Sequence, residues 1–263
     1  MIIDGNALAQ QLLQELKNEI SHQSARPHLT VISCAPTFVT QKYLSLKLSQ
    51  AQAVGIETNI ITLPATITTK EYLKVIERVQ MQTDAIVVQL PLPPSIDANI
   101  VIAAIPPAYD ADAMHYRGSD RELLPPVVAA IVEISTRYAV SFLQKRVLVV
   151  GHGRLVGKPA ALYAAAQGSV VTVATKETAD LPALLAVADI VISGVGVPCL
   201  IEARHLKAGV ALFDAGTAED SGEIKGDVHP DCALKASLFT PVPGGIGPLT
   251  IVMLLRNVLA LTK

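Results

Sequence analysis

The chain has 263 residues, 51% of them hydrophobic and only 4% aromatic, with no tryptophan, enough apolar chain for one large or two smaller α/β domains with aliphatic cores. A net charge of −2 and a pI near 6.3 offer no basic field to nucleic acid or to a membrane surface. Met1-Ile2-Ile3-Asp4 does not read as a secretory leader, no apolar run reaches the ~18 residues of a spanning helix, and Cys34, Cys199 and Cys232 are too scattered for a disulfide framework or a CxxC metal site, so a reduced, cytoplasmic protein is expected.

Leu8, Leu12, Leu13, Leu16 and Ile20 recur at helical spacing across residues 5–21. His28–Cys34 reads as a strand, 39–54 as a helix, Glu57–Leu63 as a strand and 69–81 as a helix. Ala85–Val88 is a fully apolar strand that runs into Gln89-Leu90-Pro91-Leu92-Pro93. This rhythm predicts a parallel sheet covered by helices. Residues 105–125 break into irregular chain rich in Pro, Asp and Gly, and a linking helix is expected at 126–140. A second α/β unit follows: a strand at Arg146–Val150, a glycine turn at Gly151–Gly157, an alanine-rich helix at 158–166, and strands at Ser169–Val173, Ile190–Ser193 and Val210–Asp214. The last helix, Ile251–Leu261, is expected to pack back on the first unit. The fold class is therefore α/β in two domains. Residues 1–125 with 246–263 form the first, and 126–245 form a Rossmann-like dinucleotide-binding domain.

Several groups of residues point to chemistry. Tyr43 and Lys47 lie four apart on one predicted helix and share a face. Gln89 stands at the C-terminal end of a buried strand, where open α/β sheets hold ligands, and Asp110 and Asp112 follow in the irregular stretch. A lysine drawn into an apolar cleft has its pKa lowered by desolvation and becomes a usable acid or base near neutral pH. Gly151-His152-Gly153-Arg154-Leu155-Val156-Gly157 follows a strand and opens a helix, the context in which a glycine turn sets a phosphate against a helix N-terminus. Its G-x-G-x-x-x-G spacing is one residue longer than the standard fingerprint, and a turn that uses glycine for geometry alone is the competing reading. After the next strand comes Ala174-Thr175-Lys176-Glu177, with both charge signs side by side, a slight lean to NADP. His115, His152, His205 and His229 lack metal-ligand spacing. Thr240–Thr250 (TPVPGGIGPLT) holds three prolines and three glycines in eleven residues. That composition argues against helix or central strand and suits a stiff loop bordering a flat ligand, against the plainer reading of a turn before the last helix.

Together these pieces resemble the bifunctional methylenetetrahydrofolate dehydrogenase/cyclohydrolase family along essentially the whole chain. Thr40-x-x-Tyr43-x-x-x-Lys47 is similar to the family's Ser-x-x-Tyr-x-x-x-Lys helix, Gln89–Pro93 to its QLPLP, and Asp110-Ala111-Asp112 to the Asp-Val-Asp of its KDVDG. Val156-Gly157-Lys158-Pro159, Asp214-Ala215-Gly216, Gly226-Asp227-Val228 and TPVPGGIGPLT complete the set. The resemblance implies a folate cleft between two domains. By it, Lys47 is the proton-transfer group, Gln89 its orienting neighbour, Tyr43 a stacking partner for the pterin and Asp112 the acceptor for the pterin's amino edge. Pro243, Gly244, Gly245, Ile246 and Gly247 would border the folate. Gly151, His152, Gly153, Lys176 and Thr217 would hold NADP, with NAD as the other nicotinamide cofactor.

The implied reactions are oxidation of 5,10-methylenetetrahydrofolate to the methenyl form and its hydrolysis to 10-formyltetrahydrofolate. The implied partners are tetrahydrofolate derivatives and a second copy of the chain. A symmetric homodimer through the dinucleotide-binding domain also suits the apolar stretch Val187–Val197. The departures cluster on the cofactor side: the family's Gly-Arg-Ser is Gly151-His152-Gly153, and its Cys-His-Ser is Ala174-Thr175-Lys176. Its Pro-Cys-Thr-Pro is Leu123-Leu124-Pro125-Pro126, the Lys and Gly of KDVDG are Tyr109 and Ala113, and Cys34 stands in place of a glycine. Two alternatives follow. One is a cyclohydrolase with weak or absent dehydrogenase activity. The other is a catalytically silent folate- or nucleotide-binding paralogue, against which the intact Lys47, Tyr43, Gln89 and Asp112 argue.

Overall fold

Val- and Ile-rich strands alternate with helices to build two parallel sheets, each in its own unit of the chain. The structure, a computed structural model, describes residues 1–36, 38–220 and 222–262; the side chains of residues 38, 39, 42 and 43 lie outside the description.

One unit comprises Gln11–His115 with Leu254–Lys263. Its elements are α1 (Gly5–Ser21, which begins before the unit does), β1 (His28–Cys34), α2 (Phe38–Ala53), β2 (Glu57–Leu63), α3 (Thr69–Val79), β3 (Ala85–Val88) and α4 (Ala98–Ala103). The sheet has the order β2-β1-β3, with His28 opposite Glu57 and Leu29 opposite Ala85. β1 is central and β3 is buried along its whole length, and β3 reads as a continuous apolar run. Ile32, Tyr72, Ile76, Ile86, Val101 and Ile105 pack together on one side of this sheet. α3 starts with a capping box, in which the Thr68 hydroxyl accepts from Glu71 N and the Glu71 carboxylate accepts from Thr68 N. Beyond α4 the irregular stretch touches the sheet once more. Asp110 makes a parallel bridge with Ile86, and Ala111 N donates to Ile86 O at 3.3 Å. This carries Asp112 along the free edge of β3 toward Gln89.

The other unit comprises Met1–Gln10 with Tyr116–Met253. It contains α5 (Pro126–Arg137), β4 (Arg146–Val150), α6 (Gly157–Ala166), β5 (Val170–Ala174), α7 (Leu181–Val187), β6 (Ile190–Ser193), β7 (Ala211–Asp214), the antiparallel pair β8 (Ala218–Asp220) and β9 (Glu223–Lys225), β10 (Leu238–Thr240) and α8 (Ile246–Leu261). The main sheet is all parallel in the order β10-β7-β6-β4-β5. Leu148, Val150, Val191, Leu212 and Phe239 pack with Leu185, Ile201 and Leu206 into one aliphatic core. Order reverses at β4, whose sequence successor β5 lies on one side and β6 on the other.

The packing divides the chain differently from the expected boundaries at 125/126 and 245/246. Residues 1–3 run beside β10, with Phe239 N donating to Met1 O and Ile3 N donating to Phe239 O, each at 2.9 Å. This backbone pairing draws the N-terminus into the unit that carries β10. The division also falls inside α8. As expected, the end of that helix joins the first unit: Arg256 contacts Glu15 at 3.3 Å, and Asn257 Nδ2 donates to Ala111 O at 2.9 Å.

Two expectations need correction. Thr240–Thr250 is not all loop, since Thr240 ends β10 and Ile246–Thr250 already belongs to α8. Pro248 is the third residue of that helix, where no intrahelical N–H is required and a fixed φ is tolerated. The apolar character of Val187–Val197 belongs largely to β6, an interior strand with all four residues buried. Only Val187, Val195 and Val197 of that stretch are exposed large hydrophobics.

Candidate active site

In the first unit three expected residues come together. α2 presents Lys47, β3 ends at Gln89, and the segment paired with Ile86 brings Asp112. Lys47 is 6% exposed, and its Nζ donates to Gln89 Oε1 at 3.3 Å. The Gln89 amide is oriented by its other end, as Nε2 donates to Leu90 O at 2.8 Å, which leaves Oε1 for the lysine. Burial lowers the Lys47 pKa, and the nearby Asp112 carboxylate opposes that shift. Asp112 responds in kind: burial raises its pKa and Lys47 pulls it back. The pair thus holds an amine that deprotonates more readily than a surface lysine beside a carboxylate that protonates more readily than a surface one. Tyr43 sits one turn before Lys47 on α2, and its side chain lies outside the described residues.

Asp110, named with Asp112 in the irregular stretch but given no role there, is also drawn into the fold. It is 2% exposed, with Oδ2 accepting from His115 N at 3.3 Å and Oδ1 buried without a hydrogen-bond partner among the described residues. Burial, then the Asp112 charge, push its carboxyl up to about 6, against the weaker pull of His115. Its bond to His115 closes the turn through Ala113, which stands at φ +51° in the left-handed region, where the resembled family has glycine.

The expected cofactor residues all lie at the C-terminal ends of the strands of the second unit. Gly151 to Gly153 follow β4, Lys176 follows β5 and Thr217 follows β7. The glycine turn is tightly built. Gly151 has φ +95°, and a Cβ there would meet Val195 Cγ1 at 2.8 Å; a Cβ on Gly157 would meet Gly151 O at 2.1 Å. A Cβ on Gly153 would have no heavy atom within 4 Å. His152 and Gly153 are exposed, so the outer lip of the turn stays open while its base is packed. A turn with glycine at 151, 153 and 157, packed at its base and open at its lip between a buried strand and the ten-residue helix α6, fits a dinucleotide pyrophosphate. Lys176 is 91% exposed and lies 3.8 Å from Glu177, whose carboxylate also accepts from Thr175 Oγ1 at 2.5 Å.

The loop after β10 has a double character. Gly244 stands at φ +96° and its carbonyl accepts from Gly5 N at 2.8 Å, while a Cβ on Gly5 would lie 1.8 Å from Gly245 O. What presses on this loop is therefore the chain's own N-terminal turn. Gly245 and Ile246 are buried, whereas Pro243 and Gly247 are exposed. The described residues contain no cluster of three or more His, Cys, Asp or Glu side chains able to hold a metal, and none of their helices is long and apolar enough to cross a membrane.

Comparison with known proteins identifies the family and the fold. Residues 3–112 match the family described as tetrahydrofolate dehydrogenase/cyclohydrolase, catalytic domain, and residues 125–263 match the NAD(P)-binding domain of the same family. The bifunctional protein FolD of Exiguobacterium sibiricum is 36% identical over 275 residues, covering 100% of this chain and 99% of its own. The Trypanosoma brucei methylenetetrahydrofolate dehydrogenase-cyclohydrolase, solved with NADP cofactor and an inhibitor, superposes with a TM-score of 0.92 at 34% identity, covering 99% of this chain and 96% of the other. The bifunctional enzyme from Campylobacter jejuni gives a TM-score of 0.95 at 29% identity, covering 99% and 98%.

Proposed function

This chain belongs to the tetrahydrofolate dehydrogenase/cyclohydrolase family, and we propose that it oxidises 5,10-methylenetetrahydrofolate with NADP and hydrolyses the methenyl product to 10-formyltetrahydrofolate. The buried Lys47–Gln89 contact beside Asp112 carries this reading. The nicotinamide ring, when bound, supplies the hydride acceptor. The turn at Gly151–Gly153 takes the dinucleotide's phosphates, with Lys176 at the end of the adjacent strand β5 and Thr217 after β7, beyond β6 on the other side. Lys47, made more acidic by burial, accepts the proton lost as water adds to the methenyl carbon, and Gln89 aims its amine. Asp112 accepts from the pterin's donor edge, and Tyr43 stacks on the ring. Pro243–Gly247 border the folate. The balance is one hydride out in the first step, then one water in and one proton out in the second.

The observation that favours a second reading, a cyclohydrolase with weak dehydrogenase activity, is the Lys176–Glu177 pair. It offers one mobile cation and one carboxylate where a 2′-phosphate would want a fixed guanidinium. Incubating the purified protein with methylenetetrahydrofolate and each dinucleotide tests both readings. Reduced nicotinamide together with a transient methenyl band is the expected result, and decay of added methenyltetrahydrofolate without any reduced nicotinamide would favour the second. A cytoplasmic location and a symmetric homodimer through the NAD(P)-binding unit complete the proposal.

A further inference from the structure

The motifs Asp214-Ala215-Gly216 and Gly226-Asp227-Val228 take no part in the two reactions derived above, yet both carboxylates are 0% exposed. Burying a carboxylate is costly unless its oxygens accept hydrogen bonds, and all four oxygens here do. Asp227 Oδ2 accepts from Ser193 Oγ at 2.6 Å and Val195 N at 2.8 Å, and Oδ1 accepts from Val197 N at 2.8 Å. Asp214 Oδ1 accepts from Gly216 N at 3.0 Å and Asp227 N at 3.2 Å, and Oδ2 accepts from Val228 N at 2.9 Å. The two interlock: Asp214 fixes the backbone that carries Asp227, and Asp227 fixes residues 193–197. Each aspartate also dictates a glycine. A Cβ on Gly216 would lie 2.1 Å from Asp227 Oδ1, and one on Gly226 would lie 2.1 Å from Asp214 Oδ2.

The segment held in this way occupies a particular place. It leaves β6 beside β4, where strand order reverses and open sheets receive dinucleotides. It also forms one wall of the glycine turn, since a Cβ on Gly194 would meet Val156 Cγ1 at 2.5 Å and one on Gly151 would meet Val195 Cγ1 at 2.8 Å. With pyrophosphate at the turn after β4 and the adenosine ribose at the end of β5, the β6 side is left for the nicotinamide half.

We infer that Asp227 is a positioning residue for dinucleotide binding, holding residues 193–197 as the wall against which the nicotinamide half of the cofactor rests. The inference depends on the reading of this unit as the cofactor-binding one. It is tested by titration calorimetry of the full-length protein with NAD, NADP and ADP, alongside cyclohydrolase rates measured without dinucleotide. Asp227→Asn puts an NH₂ against backbone donors. It should weaken NAD and NADP by a common factor of about tenfold or more, while ADP, which lacks the nicotinamide half, binds as before and hydrolysis of methenyltetrahydrofolate is unchanged. Ser193→Ala removes one donor of three and should weaken both dinucleotides by roughly threefold to tenfold, and it decides the matter if Asp227→Asn fails to fold. Unchanged dinucleotide affinity in a folded variant would overturn the inference, as would equal losses for ADP or for hydrolysis. A wild type that binds neither dinucleotide would sink the functional reading itself, and this inference with it.

Discussion

Replacing Lys47 by methionine keeps most of the side chain's apolar volume at a site 6% exposed and removes the amine that donates to Gln89 Oε1. The fold should survive, because burial already disfavours the ammonium there and a thioether has no charge to desolvate. The chemistry should not. General base catalysis contributes about 10²–10⁴-fold, which is about 2.7–5.4 kcal/mol of transition-state stabilisation at ~1.36 kcal/mol per tenfold. Loss of the Lys47–Gln89 contact adds about 0.5–1.5 kcal/mol at most. Hydride transfer moves no proton onto the protein, so dehydrogenation should fall by no more than about tenfold, through altered folate positioning. Lys47→Arg sharpens the test. A guanidinium keeps the charge and the donors but does not deprotonate, so it should be nearly as damaging to hydrolysis as methionine. The assay follows methenyl absorbance, its appearance from methylenetetrahydrofolate and its decay when methenyltetrahydrofolate is supplied. Equal, small losses in both activities, or an arginine variant that hydrolyses at the wild-type rate, would remove Lys47 from proton transfer.

Asp112→Ala should weaken folate binding by at least about 1–3 kcal/mol, because buried donors on the pterin lose their acceptor, with dinucleotide affinity unchanged by titration. The same change removes the charge that holds the Lys47 pKa up, so the acid limb of the hydrolysis pH profile should move to lower pH. Lys176→Ala should raise the apparent constant for NADP and leave that for NAD nearly unaltered, and a parallel rise in both would show that the 2′-phosphate is not read there. Asp110 and Asp214 both stand near 6 in the fold against 3.8 unperturbed. Their ionised forms are the disfavoured ones, and stability should fall as pH rises from about 4 through about 6, by at most a few kcal/mol for each group. Asp110→Asn should remove roughly half of that slope in urea melts at pH 4.5 and 7, and an unchanged slope would mean that Asp110 is not the titrating group. Light scattering at working concentration should give twice the chain mass, and a monomer would remove the dimer from the proposal.

The strands β3, β4 and β6 were legible because a buried parallel strand is a nearly bare run of apolar, mostly β-branched residues, as in Ala85–Val88 and Ile190–Ser193. The short pair β8 and β9, helix α7 and strand β10 were not, since three to seven residues carry too little periodicity to separate helix from strand. The start of α8 misled for a different reason: glycines and Pro248 read as breakers, but the first turn of a helix tolerates both. Lys47 and Gln89 were readable from a helix face and a strand end. The fit of Asp227 to Ser193, 34 residues away, was not, because no local pattern encodes which backbone donors a buried carboxylate will collect. Its trace in the sequence is a glycine beside each aspartate motif, Gly216 and Gly226, kept small by the other motif's carboxylate.

The central claim, that one chain performs both steps in succession, is tested most directly by a single incubation in heavy-oxygen water. Methylenetetrahydrofolate and NADP are supplied to the purified wild type, with reduced nicotinamide read by absorbance and the folate products by mass spectrometry, over a time in which the uncatalysed hydrolysis is negligible. Two coupled steps predict one reduced nicotinamide for each 10-formyltetrahydrofolate, with the formyl oxygen carrying the heavy label and the Lys47→Met variant stopping at unlabelled methenyl product. Reduced nicotinamide without labelled formyl product, or no reduced nicotinamide from either NADP or NAD, would contradict it.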